Sequence, residues 1–226
     1  MAHSVLVVAA ELLRQHYGQP PQPVPRGEWM TLVRIVLERD GSAGKGRDWS
    51  RLDETPLTSP EETVRLAASR VAEILKTAGL EGRRSGALPA LAQWWLDQVA
   101  GEETSVDFSR RPLETWQAEL RAIRGVSWEL ADRILLCVGG LAVYPLDRGS
   151  LRVAARHGWM DLTAEYDDWR AFFIGGLHDS AIDLANVSYW NMRAGREFCG
   201  ARPKCDECPL KELLPERGPV PIDSED

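Results

Sequence analysis

Lysine is scarce in this chain of 226 residues, standing only at Lys45, Lys76, Lys204 and Lys211, so arginine carries most of the positive charge. Excess positive charge is absent too: the formal net charge is −7 and the pI is near 5.3. That excludes nucleic-acid binding driven by overall charge, because phosphate neutralisation needs cations. It leaves room for a local basic patch, since part of the acid is gathered in the tail Pro215–Asp226. Cysteine is limited to 4 residues, three of them clustered. That fits a reducing compartment better than a disulfide framework. Long apolar runs are missing. The longest, around Ile134–Tyr144, is too short to span a bilayer and carries glycines. The start, Met1-Ala2-His3-Ser4-Val5, lacks the basic, apolar and small-residue pattern of a secretory signal, so the expected location is cytoplasmic. Runs of β-branched residues alternating with period two are few, which argues against sheets and for an all-α chain.

What is present is helical periodicity. Val5–Tyr17 has apolar residues at helical spacing and stops at Gly18-Gln19-Pro20-Pro21. Gly27–Arg39 is a second expected helix, followed by the polar loop Gly41–Arg47, which contains Lys45. Ser59-Pro60-Glu61-Glu62 is a strong helix start, and the pattern predicts one helix from there to about Ala78. Further helices are expected over Leu88–Ala100, Pro112–Ala122, Trp128–Val138, Asp147–His157, Tyr166–Leu177 and Ala181–Arg193. The last dozen residues read as a disordered acidic tail.

Three segments carry chemistry. Leu120–Ala131 reads as helix, tight glycine turn, helix, with Gly125, Val126 and Ser127 in the turn. Backbone N–H groups at such a turn favour a phosphate, although a plain helix–helix connection uses the same residues. Sixteen residues after Ser127 begins Val143-Tyr144-Pro145-Leu146-Asp147-Arg148. Finally, Gly195-Arg196-x2-Cys199-x5-Cys205-x2-Cys208 clusters three thiols, as metal and iron–sulfur loops do. A fourth cysteine would complete that loop at the position of Leu214. Cys137 lies in an apolar helix and reads as a small buried hydrophobe.

In this order and spacing the three segments resemble the helix-hairpin-helix DNA glycosylases of the endonuclease III type. The resemblance implies a two-lobed all-α fold. A six-helix lobe spans 27–140 with the hairpin at 120–131. Residues 1–26 and 141–214 form a second lobe, built from the N-terminal helix, the C-terminal helices and the cysteine loop at 199–208, and 215–226 is the tail. It implies a base-excision repair protein whose partner is double-stranded DNA with a damaged base, acting as a monomer without a membrane. Gly125, Val126, Ser127, Trp128, Arg148 and Lys45 become candidate DNA contacts. Cys199, Cys205 and Cys208 become three of the four ligands of a [4Fe-4S] cluster.

The departures from the family pattern are specific. The family lysine that forms a Schiff base with the sugar is replaced by Glu129, and a carboxylate forms no imine. Asp147 occupies the position of the family aspartate that activates water or stabilises an oxocarbenium-like sugar. Asp147 also suits the N-cap of the helix that follows it. If Glu129 and Asp147 faced one pocket, mutual repulsion would raise one pKa and make that carboxyl an acid. The Thr-His after the family aspartate is here Arg148-Gly149, and Ser127 replaces the second hairpin glycine. Among the nine tryptophans only Trp128 lies by sequence near the expected phosphate contact. The expectation is therefore hydrolytic N-glycosidic cleavage without lyase activity, with Asp147 and Glu129 as catalytic candidates. A catalytically silent DNA-binding protein and a protein-interaction module on the same scaffold stay open as alternatives.

Overall fold

The structure, a computed structural model, describes residues 2–19, 28–38, 48–80, 84–99, 103–161, 163–177 and 181–222. Its α-helices, in chain order, are α1 (Ala2–Tyr17), α2 (Trp29–Leu37), α3 (Pro60–Thr63), α4 (Ala68–Ala78), α5 (Leu88–Gln98), α6 (Leu113–Ala122), α7 (Trp128–Cys137), α8 (Arg148–Arg156), α9 (Tyr166–Gly176) and α10 (Ala181–Glu197). Short 3₁₀ turns join several of them. The described residues contain no strand, and the one extended pairing is an isolated bridge between Glu28 and Ser105. The chain is all-α. No helix among the described residues is long and apolar enough to cross a membrane.

Two compact units divide the chain, one made of residues 1–23 and 142–226, the other of residues 24–141. The central unit holds α2 to α7. Its core is built by Leu32, Val36, Leu91, Leu120, Leu130 and Ile134, all nearly inaccessible. Tryptophans complete it. Trp29 meets Trp95 edge-on, and Trp116 packs on Trp94 and Phe108. Their polar ends are satisfied inside: Trp29 Nε1 donates to the Leu57 carbonyl and Trp116 Nε1 to the Phe108 carbonyl. These four tryptophans are core residues, whereas Trp128 is 48% exposed.

One expected helix is two. Ser59 caps α3 as predicted, its hydroxyl accepting from the Glu62 amide. The backbone then becomes extended at Ala67, with φ −70° and ψ 149°, and α4 starts afresh. Thr63 shows what anchors α3: it is fully buried and donates its hydroxyl to the Ser59 carbonyl. Gly79 ends α4 at φ +72°, the left-handed cap that glycine adopts most readily.

The other unit packs α1 against α9 and α10, and α8 against α10. Leu6, Ala9 and Leu13 form the buried stripe of α1. The expected disordered tail differs. The Val220 amide donates to the Arg156 carbonyl, so the chain past Pro215 is fastened to the end of α8.

Candidate nucleic-acid interface and carboxylate site

In the central unit the hairpin is formed by α6, a turn and α7. The turn closes when the Val126 amide donates to the Ile123 carbonyl at 3.0 Å. Gly125 sits at φ +94°, where an L side chain is strained. Val126 is therefore not an outward donor; its amide is spent and its side chain is buried. Gly125 and Ser127 are the exposed turn residues. The serine in place of a second glycine costs no strain, because its φ is −77°. Its hydroxyl oxygen accepts from the Leu130 amide at 3.1 Å and caps α7.

A buried carboxylate locks the hairpin. Asp132 is fully inaccessible, and its Oδ1 accepts from Gln117 Nε2 at 2.8 Å and Arg121 at 3.3 Å, tying α7 to α6. The same Arg121 lies over the Trp128 ring, 4.0 Å from its centroid. Trp128 is thus held at the first residue of α7 by a cation–π contact while keeping an exposed face.

Glu129 follows directly. Its carboxylate pairs with Arg84 at 2.8 Å and with Arg133 at 2.7 Å. Burial pulls its pKa upward, but Arg133 and Arg84 together outweigh that and hold it below the usual range. The Glu129 carboxyl is thereby stabilised as an anion. The cause is the two guanidinium groups.

In the other unit Asp147 caps α8. Its Oδ1 accepts from the Gly149 amide at 2.7 Å and the Ser150 amide at 3.2 Å, and its Oδ2 accepts from the Ser150 hydroxyl at 2.8 Å. Three donors fix the carboxylate at the N-terminus of α8. Asp147 is partly exposed. Its place is set by the crossing of α8 and α10. A Cβ on Gly149 would lie 3.4 Å from the Gly195 Cα and 2.8 Å from Asp147 Oδ1. That crossing accounts for the glycine that follows Arg148, and for Gly195 before the cysteine run. Arg148 itself is exposed.

The cysteine loop is bound to α8 by arginines. Arg152 donates to the carbonyls of Cys199 and Gly195, and Arg156 donates to Cys199 Sγ at 3.3 Å and to the Gly200 carbonyl at 2.7 Å. Cys199, Cys205 and Cys208 line one small cavity together with Val153, His157 and Leu214. Burial pushes the Cys199 thiol upward despite Arg156, and burial does the same to Cys208. Both ring nitrogens of His157 face carbonyls, those of Val153 and Leu210, and Asp206 pairs with Lys211. Neither side chain is left to replace a fourth thiolate, and Leu214 fills that wall. Among the described residues no group of three or more His, Cys, Asp or Glu side chains is placed to hold a metal ion. The donor set does not fit a four-thiolate cluster. Cys137 belongs to the central unit, and burial raises its thiol to about 11.

No family model matches the chain. Its sequence is 24% identical over 204 residues to a Methanocaldococcus jannaschii protein assigned by name as a DNA repair glycosylase, covering 90% of this chain and 92% of that one. It is 24% identical over 190 residues to an endonuclease III of Sulfolobus acidocaldarius, covering 83% and 81% of the two chains. Among solved structures, endonuclease III in a non-covalent complex with DNA superposes with a TM-score of 0.66 over 95% of each chain at 14% identity. The chain is similar in sequence to these two proteins and has the fold of endonuclease III.

Within this fold the candidate residues separate into two groups. Gly125, Val126, Ser127, Trp128 and Glu129 share the hairpin of the central unit; Asp147, Arg148 and the loop cysteines share the α8–α10 unit. Lys45 lies outside the described residues. Sequence reading missed Arg84, Asp132, Ser150, Arg152 and Arg156. A signal existed for part of this set: Gly149, Arg152 and Arg156 recur at helical spacing and mark one face of α8. Arg84 is distant in sequence from Glu129, and no periodicity pairs them.

Proposed function

We propose that this chain is a base-excision DNA glycosylase that binds damaged duplex DNA and cleaves the N-glycosidic bond hydrolytically, without lyase activity. The observation that carries this reading is Asp147, a carboxylate fixed by three donors at the N-terminus of α8; the sequence resemblance matches it to the aspartate of the endonuclease III-type glycosylases. A fixed negative charge stabilises the positive charge that develops on the sugar as the base departs. Water then adds to C1′ and the base leaves with a proton. The lyase route is closed because Glu129 stands where the nucleophilic lysine would be, and a carboxylate held ionised by Arg84 and Arg133 forms no imine. Its part is to order those two arginines at the hairpin.

The DNA contacts in this reading are the exposed turn residues Gly125 and Ser127, the exposed face of Trp128 and the exposed Arg148. We infer further that the cysteine loop keeps its shape through Arg152, Arg156 and apolar packing rather than through a four-thiolate cluster.

Duplexes each carrying one deaminated, oxidised or alkylated base test the reading. The expected result is binding that weakens steeply with salt, and release of free base from at least one of them. A second reading, DNA binding without cleavage, is favoured by one observation: both oxygens of Asp147 are already bonded within α8. Lesion-dependent binding with no base released from any duplex would support that second reading.

A further inference from the structure

Behind the Asp147 carboxylate runs a series of hydrogen bonds with a single sense. Asp147 Oδ2 accepts from the Ser150 hydroxyl at 2.8 Å. Ser150 Oγ lies 3.1 Å from the Tyr144 hydroxyl, and the Tyr144 oxygen lies 3.1 Å from Asn191 Nδ2. A hydroxyl has one proton to give, and an ionised carboxylate only accepts. The Ser150 proton is therefore committed to Asp147. The bond between the two hydroxyls is then donated by Tyr144. With its own proton spent, the Tyr144 oxygen meets Asn191 as an acceptor. Every bond points toward the carboxylate.

Helix capping does not require this arrangement. The Gly149 and Ser150 amides are already satisfied by Oδ1. The second oxygen of an N-cap aspartate is ordinarily left to solvent. Here it is bonded to a side chain that, like Tyr144, is fully inaccessible, and Asn191 behind them is 1% exposed. Bonds in such surroundings are strengthened, and successive members polarise one another. Tyr144 is fixed by other means as well: its ring stacks on Phe173 with centroids 4.1 Å apart and planes within 4°. Asn191 comes from α10, so the series crosses the same helix pair that Gly149 and Gly195 bring together.

We propose that Ser150, Tyr144 and Asn191 are positioning residues, a relay of donors from α10 that holds Asp147 Oδ2 in one orientation. The consequence for catalysis rests on the glycosylase reading; the relay itself does not.

The test uses the full chain labelled with ¹³C at aspartate carboxyl carbons, at one fixed pH, as wild type, Ser150→Ala, Tyr144→Phe and the double variant. Tyr144→Phe keeps the ring that stacks on Phe173 and removes only the hydroxyl. The expected result is a shift of the Asp147 carboxyl resonance in each single variant. Tyr144→Phe adds nothing once Ser150 is replaced, because the effect travels through that hydroxyl. The relay is overturned if Tyr144→Phe leaves the Asp147 resonance in place while Ser150 is present, or shifts it equally when Ser150 is absent. Single-turnover base release on the same proteins is expected to fall about tenfold in Ser150→Ala, with DNA affinity unchanged. A relay pattern in the spectra with no base released by the wild type would uphold the relay and sink the glycosylase reading alone.

Discussion

Gly149 and Gly195 meet backbone to backbone: a Cβ on Gly195 would lie 2.3 Å from the Gly149 Cα and 2.7 Å from its carbonyl oxygen. Two helices are thereby brought close enough for α8 to present Asp147 at a fixed place. Backbone yields little. Gly195→Ala is expected to lower stability by about 1–3 kcal/mol in denaturant titrations and to reduce base release by moving α8. Gly200→Ala, with nothing within 4 Å of its Cβ, is the control and is expected to stay within about 0.5 kcal/mol of wild type.

Glu129 gives a pH signature. Its pKa lies below the ordinary 4.5 in the folded chain, because Arg133 and Arg84 outweigh its burial. A depressed folded pKa means that the unfolded chain binds the proton more tightly. The resulting stability is complete above about 4.5 and is lost as pH falls through the folded value. Glu129→Gln should therefore be less stable than wild type at neutral pH, and the two should converge in acid. Urea titrations at a series of pH values check this; a gap that does not narrow in acid would contradict the ion pairing.

The hairpin makes a binding prediction. Gly125→Ala forces a Cβ into φ +94° and against Ala87 at 3.4 Å, distorting the turn at a cost of about 1–2 kcal/mol. Trp128→Ala removes the exposed ring that Arg121 supports. Both variants should weaken duplex binding in fluorescence-anisotropy titrations. Wild-type binding should fall steeply with added salt.

The cysteine loop predicts a colourless protein. With Leu214 in the fourth position and Arg156 on Cys199, purified chain should lack thiolate-to-iron charge-transfer absorption and stoichiometric iron. Leu214→Cys supplies the missing thiol and, after anaerobic reconstitution, is expected to hold more iron than wild type. A brown wild-type protein with stoichiometric iron would overturn this account of the loop.

Much of this was legible in the sequence where local chemistry punctuates the chain. Gly125 marks the hairpin turn and Asp147 the start of α8, whereas the capping role of Ser127 came only with the structure. The break between α3 and α4 was not legible, because Val64-Arg65-Leu66-Ala67 contains neither glycine nor proline. The partners that decide the chemistry were hidden for a different reason. Arg84 meets Glu129 and Asn191 meets Tyr144 only after tertiary packing brings distant segments together. The pKa direction at Glu129 follows from Arg133 and Arg84, and no local pattern in the sequence reveals Arg84 as a partner. The sequence marks Arg148-Gly149 only as a departure from the family pattern, and the structure gives a reason for the glycine: the close crossing with Gly195.

Asp147→Asn assayed beside wild type, in single-turnover reactions on the lesion-bearing duplexes, tests the central claim most directly. Asp147 is predicted to supply a charge that asparagine cannot. Wild type should release free base and Asp147→Asn should do so at least ~100-fold more slowly, with no borohydride-trapped adduct from either. An Asp147→Asn protein that matches the wild-type rate, or a trapped covalent adduct, would contradict the account.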